Sequence, residues 1–166
     1  MILVAQKDDL VAEKNPLGVP NDQELNLADL LEVRLGLECN AVTMAARRAT
    51  EEDLRDLEMS LRDMEARIAA GELGSDADVA FHMAIAYATK NLVQIHIMKN
   101  FYDLLFYGIK TNQQYLFTEP ATLEKIIRQH TNIFEAIRNR APDAAYSAMH
   151  DHIMYVLNFV HDKKVR

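Results

Sequence analysis

The chain has 166 residues, of which 49% are hydrophobic, and a formal net charge of −7 at pH 7. This length fits one domain with a substantial core, and the scarcity of glycine (5) and proline (4) favours helices over a turn-rich sheet. The negative charge argues against this chain gripping nucleic acid by itself, because phosphate binding needs a basic surface.

The cysteine content and hydropathy predict a cytoplasmic domain. The single cysteine, Cys39, cannot form an intrachain disulfide, which fits a reducing compartment. No basic region followed by an apolar stretch opens the chain, and no window reaches the apolar length of a membrane span. We therefore expect no membrane partner.

Hydrophobic periodicity predicts an all-α fold, an antiparallel bundle of about six to seven helices. Residues 1–25 carry Pro16, Gly18 and Pro20 in a polar segment and are predicted to be a lead-in or linker. Residues 26–166 form the predicted helical domain.

The first two helices are predicted from residue spacing and a cap. Apolar residues recur at three- and four-residue steps from Asn26 to about Arg48. Thr50 and Asp53 then form a capping box, which predicts a second helix through about Ala70. Its apolar positions, expected to face the core, are Leu54, Leu57, Met59, Leu61, Met64 and Ile68.

The third and fourth helices meet at Asn91, which can end one and precede the other. Ser75 is the predicted N-cap of the third helix, which runs to about Lys90. The fourth runs from Leu92 to about Tyr107 or beyond. Its expected apolar positions are Ile95, Ile97, Met98, Phe101, Leu104, Leu105 and Phe106.

Two more helices follow a polar interval from Lys110 to Thr118. Pro120 suits the first turn of a fifth helix that runs to about residue 140. The sixth starts at Pro142 or Asp143 and runs to about His161.

Asp78 and His82 on the third helix are candidate metal ligands. They are four residues apart, so both side chains rise from one face of the helix. A carboxylate and an imidazole placed this way can hold one metal ion. The alternative is structural: Asp78 closes a capping box with Ser75, and His82 is a core histidine.

Two more histidines fall within apolar stripes. His130 lies four residues from both Ile126 and Phe134, and His152 lies in the stripe of the sixth helix. Burying an imidazole is costly unless both nitrogens find partners, and one shared divalent ion, Zn²⁺, Ni²⁺ or Mn²⁺, would satisfy all three histidines. His150 is turned about 200° from His152 and is expected to face solvent.

Arg34 lies on or beside the apolar stripe of the first helix. One interpretation is an ion pair with Glu38, four residues later, with the arginine stem snorkelling past the core. The other is a role in ligand binding, and the motifs described next are relevant to that interpretation.

A series of motifs appears in a fixed order between about residues 27 and 161. They are Leu31-Glu32-Val33-Arg34 with Glu38, Ala45-Ala46, the run from Asp78 to Ala86, Asn91, Gln129-His130, Ile133, Ala136-Ile137, Asp143-Ala144-Ala145, and Ala148-Met149 through His152-Ile153. This ordered set resembles the FCD domain, the ligand-sensing C-terminal domain of FadR-type regulators in the GntR family of bacterial transcription factors. In metal-binding members, an Asp, the His four residues later and two His on the last long helices are the ligands. Carried over, the resemblance implies Asp78, His82, His130 and His152.

The runs 81–86, 91–93 and 101–105 look closest to the lactate-responsive branch of that family, with pyruvate- and glycolate-responsive relatives as neighbours. The resemblance implies an effector-binding and dimerisation domain over residues 26–166, a homodimer, and DNA binding through a winged helix-turn-helix domain that is missing from this chain. One departure is Thr111-Asn112-Gln113-Gln114-Tyr115, where relatives often have Arg or Lys.

These observations lead to the hypothesis of an effector domain that binds a small carboxylate, a 2-hydroxy or 2-keto acid such as lactate, at the metal. An octahedral ion with four protein ligands keeps two positions open, and Arg34 can clamp the carboxylate. The alternatives are a closed structural zinc site, a helical interaction domain without a ligand, and a metal-dependent hydrolase. The last would need a general base, and the sequence has neither HExxH nor the paired Glu-x-x-His of di-iron bundles, so we expect no enzyme.

Overall fold

A computed structural model of the chain describes residues 26–72, 75–112 and 120–164, and this part of the chain consists of six α-helices without a strand. The helices are α1 (Leu27–Arg48), α2 (Glu51–Ala69), α3 (Ser75–Ala88), α4 (Leu92–Asn112), α5 (Pro120–Arg138) and α6 (Pro142–Lys164). The predicted all-α fold is confirmed. The predicted lead-in, residues 1–25, lies outside the described residues.

Helix α1 is the centre of the bundle, because it packs against α3, α4, α5 and α6. Its C-terminal half joins an apolar cluster with α2, α3, α5 and α6. Its N-terminal part joins a second cluster with α4 and the C-terminal half of α6. The buried polar residues Arg34 and Glu38 lie on α1 between the parts of that helix that join the two clusters. His152 has the equivalent position on α6.

The connections between helices use the caps that the sequence indicates. Thr50 Oγ1 accepts a hydrogen bond from the Asp53 amide at 3.2 Å, and Asp53 Oδ2 accepts one from the Thr50 amide at 2.7 Å. This reciprocal pair is the predicted capping box. Asn91 Oδ1 accepts from the amides of Val93 and Gln94 and so caps α4.

Removing the cap at Thr50 gives a first testable prediction. Thr50→Ala is expected to lower the free energy of unfolding by about 1 kcal/mol, because the first turn of α2 then loses a side-chain acceptor for its free amide groups. Urea denaturation followed by circular dichroism measures the change. Thr50→Ser, which keeps the hydroxyl, should retain most of the stability, and equal losses in both variants would contradict the capping role.

Several predicted details are wrong or need adjustment. Met59, which was assigned to the core-facing side of α2, is 68% exposed, and Ile97, one of the apolar positions of α4, is 41% exposed. Met59 lies two residues from the buried Leu57, which is more than half a turn around the helix. Helix α3 includes Ser75, the predicted N-cap, and α4 continues beyond Tyr107 to Asn112, which lies in the polar interval that begins at Lys110.

None of the described helices has both the length and the hydropathy that crossing a membrane requires.

Candidate metal centre

Four side chains from three helices converge inside the bundle. Asp78 and His82 of α3, His130 of α5 and His152 of α6 each offer one ligand atom, and these atoms all lie within 4.8 Å of one another. We call these four residues the ligand set. The three imidazoles are at most 1% exposed, whereas the Asp78 side chain is 16% exposed. The structure therefore brings all four sequence-predicted residues together.

The shortest distances within the ligand set join atoms that would bind a cation. His130 Nε2 lies 3.0 Å from Asp78 Oδ1 and 3.2 Å from His82 Nε2. His82 Nε2 is 3.7 Å from the same Asp78 oxygen. The carboxylate and both Nε2 atoms therefore point to one small volume.

The opposite ring nitrogen of His130 is fixed by its own helix. His130 Nδ1 lies 2.8 Å from the carbonyl oxygen of Ile126. A carbonyl only accepts hydrogen bonds, so His130 Nδ1 carries a hydrogen, and in the neutral ring that a metal ion requires Nε2 would carry the lone pair.

A buried carboxylate fixes His82 in the same way. His82 Nδ1 lies 2.6 Å from Glu38 Oε2. Glu38 also accepts a hydrogen bond from Arg34 Nε at 2.9 Å and one from the Tyr102 hydroxyl. Burial alone would raise the pKa of Glu38, but the neighbouring His82 and Arg34 hold it at about 2, so Glu38 is ionised. Burial lowers the pKa of His82, which keeps that ring neutral.

The two ring nitrogens of His152 have different surroundings. Its Nδ1 lies 3.2 Å from Gln129 Oε1 on α5. Its Nε2 is buried and has no hydrogen-bond partner among the described residues. Burial lowers the pKa of His152 well below its usual value, so protonation does not satisfy this nitrogen near neutral pH.

A divalent cation fits this donor set. The three imidazoles and the Asp78 carboxylate bring one ligand atom each within 4.8 Å of one another, and a cation between them would satisfy lone pairs that lie so close together. Opposite donors around an ion bound at about 2.1 Å are about 4.2 Å apart. The observed spread of 4.8 Å is wider by a few tenths of an ångström, a difference that small side-chain rotations can remove.

Arg34 lies against the ligand set as well as against Glu38. Its Nη2 is 3.4 Å from Asp78 Oδ2, and its guanidinium carbon is 5.6 Å from the centre of the Tyr102 ring. The ion pair with Glu38 proposed as the alternative role is present, but Arg34 is buried and does not snorkel. Burial alone would raise the pKa of Asp78, but His82, His130 and Arg34 hold it well below its usual value.

Sequence reasoning identified the ligand set but missed most of the residues around it. Glu38 was considered only as a partner of Arg34, and neither Gln129 nor Tyr102 was assigned a role. Gln129 is the neighbour of His130 in the sequence, whereas nothing in the spacing indicates Tyr102. His150 has a side chain 43% exposed and stacks on Tyr146 with 6.2 Å between ring centres, in agreement with its predicted position on the solvent side.

Comparisons with known proteins agree with this fold. The FCD domain profile matches residues 29–154. The HTH-type transcriptional regulator LutR of Bacillus subtilis (strain 168) is 33% identical over 132 residues, 79% of this chain and 60% of that protein. The putative L-lactate dehydrogenase operon regulatory protein of Escherichia coli (strain K12) is 33% identical over 129 residues, 77% of this chain and 49% of that protein. The chain thus spans about half to three fifths of the length of these curated relatives.

Solved structures include a similar chain. The structure of Streptococcus agalactiae GntR superposes with a TM-score of 0.69 at 28% sequence identity, covering 87% of this chain and 65% of that one. These named relatives are transcriptional regulators, so the arrangement of helices and the candidate metal centre occur in a regulatory domain rather than in an enzyme.

Proposed function

Because this chain belongs to the FCD domain family of GntR-type transcription regulators, we propose that it senses a small carboxylate through a divalent metal ion. The proposed metal ligands are Asp78, His82, His130 and His152. Arg34 is the proposed effector-binding residue.

The observation that carries the proposal is the buried Nε2 of His152, which has no hydrogen-bond partner among the described residues although its ring packs against the imidazoles of His82 and His130. Three imidazoles and one carboxylate suit Zn²⁺, Ni²⁺ or Mn²⁺. When bound, such an ion supplies a positive centre with coordination positions that the four side chains do not fill.

The charges around the ligand set favour an anionic effector. Arg34 and Glu38 neutralise each other, histidines bind a metal ion as neutral imidazoles, and Asp78 carries one negative charge. With a divalent ion, the net charge of the site is about +1 inside a mostly apolar bundle. A monoanionic acid would neutralise that charge, whereas a neutral molecule would not.

The position of Arg34 supports a carboxylate as the effector. Its guanidinium is 3.4 Å from Asp78, so an acid bound beside the ligand set is within its reach, and arginine pairs with carboxylates through two parallel hydrogen bonds. The name of the Escherichia coli relative refers to an L-lactate dehydrogenase operon. We therefore propose a 2-hydroxy or 2-keto acid such as lactate.

The bundle offers a route from the ligand set to the rest of the regulator. The ligands lie on α3, α5 and α6, and all three helices pack against α1. Binding that shifts these helices would displace α1, next to residues 1–25, the proposed linker. We propose that residues 26–166 form the effector-binding and dimerisation domain of a cytoplasmic homodimer. DNA would be bound through a winged helix-turn-helix domain outside this chain.

One observation favours a second candidate, a closed zinc site that only stabilises the bundle. The three imidazoles are almost completely buried, as the ligands of structural zinc sites commonly are. In that case all coordination positions would be filled by protein.

Isothermal titration of the metal-loaded protein with lactate, pyruvate and glycolate tests the proposed function. We expect heat of binding from at least one of these acids. Propionate, which has the carboxylate but no oxygen on carbon 2, should bind about 10-fold more weakly or worse. Metal-free protein is the control and should bind none of them tightly. An absence of heat with every acid would favour the structural zinc site.

A further inference from the structure

Glu38 occupies an unusual place beside the ligand set. It is completely buried on α1, yet it contacts His82 of α3 and Tyr102 of α4 as well as Arg34 of its own helix. We propose that Glu38 is the positioning residue of the metal centre, which fixes the tautomer of His82 so that its Nε2 lone pair faces the other ligands. This inference rests on the proposed metal site.

The hydrogen bonds around Glu38 allow only one arrangement of hydrogens. Arg34 always carries its positive charge, and its Nε is 2.9 Å from Glu38 Oε1, so this buried ion pair favours the ionised carboxylate, which can only accept hydrogen bonds. The Tyr102 hydroxyl donates to the same oxygen. The remaining oxygen, Oε2, is 2.6 Å from His82 Nδ1, which must therefore carry the hydrogen. A neutral imidazole has one ring hydrogen, and so His82 Nε2 is left with its lone pair.

The partner of His82 Nδ1, which we call the anchor of that ring, differs in charge from the anchors of the other two imidazoles. His130 is held by the Ile126 carbonyl and His152 by the Gln129 side-chain oxygen, both of which are neutral. Of the three Nδ1 contacts, that of His82 is the one made to a carboxylate. A carboxylate behind an imidazole makes its other nitrogen a stronger ligand, and loss of such a partner typically weakens metal binding about 10–100-fold.

Glu38 also connects the ligand set to a helix that contributes no proposed ligand. Tyr102 belongs to α4, and its hydroxyl reaches Glu38 on the side of His82 away from Asp78 and His130. Burial raises the pKa of Tyr102 well above its usual value, so the hydroxyl stays a donor. A displacement of α4 would therefore be transmitted to His82 through the carboxylate of Glu38.

Nuclear magnetic resonance of the metal-free protein tests the inference directly. Long-range correlations between ring hydrogens and ¹⁵N nuclei distinguish the two neutral tautomers of a histidine. In the wild type we expect His82 to be the Nδ1–H tautomer alone. In Glu38→Gln, an amide of the same shape without the charge, we expect a substantial fraction of the Nε2–H tautomer, whereas His130 should be unchanged.

Zinc affinity provides the second measurement, by competition with a chelator. Glu38→Gln should bind Zn²⁺ about 10–100-fold more weakly than the wild type, and Tyr102→Phe, which keeps the carboxylate, should lose less than about 10-fold. Glu135→Gln, which removes an exposed carboxylate paired with Arg138, is the matched control and should bind as the wild type does.

The two measurements separate this inference from the proposed function. An unchanged His82 tautomer together with wild-type zinc affinity in Glu38→Gln would overturn the role of Glu38. Failure of the wild type to bind zinc would overturn the proposed metal site, on which the role of Glu38 depends, whereas the His82 tautomer is measured without metal and tests the contact with Glu38 separately. If Glu38→Gln does not fold, Glu38→Asp keeps the charge but withdraws it from His82, and the same two changes are expected.

Discussion

His152→Ala is expected to abolish stoichiometric metal binding. After reconstitution with Zn²⁺, Ni²⁺ or Mn²⁺ and dialysis, the wild type should retain about one ion per chain and the variant almost none. The reason is that His152 Nε2 faces the other ligands and has no other hydrogen-bond partner among the described residues. Elemental analysis by mass spectrometry measures the retained metal, and circular dichroism verifies that the variant is folded.

His150→Ala is the matched control for that experiment. His150 lies on the same helix, two residues away, but its side chain is 43% exposed and directed away from the ligand set. This variant should retain as much metal as the wild type. His82→Ala should behave as His152→Ala does, and equal metal content in the wild type and either of these variants would remove that histidine from the ligand set.

Arg34→Gln should cause the largest loss of stability, about 3 kcal/mol of the free energy of unfolding. Arg34 and Glu38 form a buried ion pair, with side chains 5% and 0% exposed. Removing the guanidinium leaves Glu38 as a buried charge without its ionic partner, which is much more costly than losing a surface pair. Asp78 loses its contact with Arg34 at the same time. Urea denaturation of the metal-free protein measures the effect.

Arg62→Gln provides the comparison for Arg34→Gln. Arg62 also pairs with a glutamate four residues away, Glu58, but their side chains are 73% and 42% exposed. We expect this substitution to change the free energy of unfolding by less than about 1 kcal/mol. If both arginine variants were destabilised equally little, Glu38 would have to be solvated or compensated by other groups, and the account of the buried pair would be wrong.

The helices could be predicted from local signals, because each depends on neighbours in the sequence. The capping box at Thr50, Asn91 before α4 and Pro142 at the start of α6 all mark helix ends in the structure. The errors came where periodicity is ambiguous. Met59 is apolar but lies on the wrong side of α2, and composition alone cannot show which apolar residue a neighbouring helix will cover.

The candidate metal centre could be predicted only in part, for a physical reason. Each histidine lies in an apolar stripe, which indicates that it faces inward, and the resemblance to the FCD domain indicated that the three meet. Contacts between helices were beyond reach, because they depend on the rotation and height of one helix against another. Tyr102 contacts Glu38 although the two residues are 64 positions apart in the sequence. Arg34 contacts both Glu38 and Asp78, so the two interpretations of Arg34, an ion pair with Glu38 and a place at the ligand set, are compatible.

The anchors of the three imidazoles give them different sensitivities to movement within the bundle. His130 is tied to a carbonyl one turn back in its own helix, so its orientation survives any rearrangement that leaves α5 intact. His82 depends on a residue of α1, and His152 on a residue of α5. Sliding α6 along α5, or rotating α1, would therefore misalign two rings while the third keeps its direction. If the ligand set binds an ion as proposed, the tightness of that binding would depend on helix alignment, and the ion would be released when that alignment is lost.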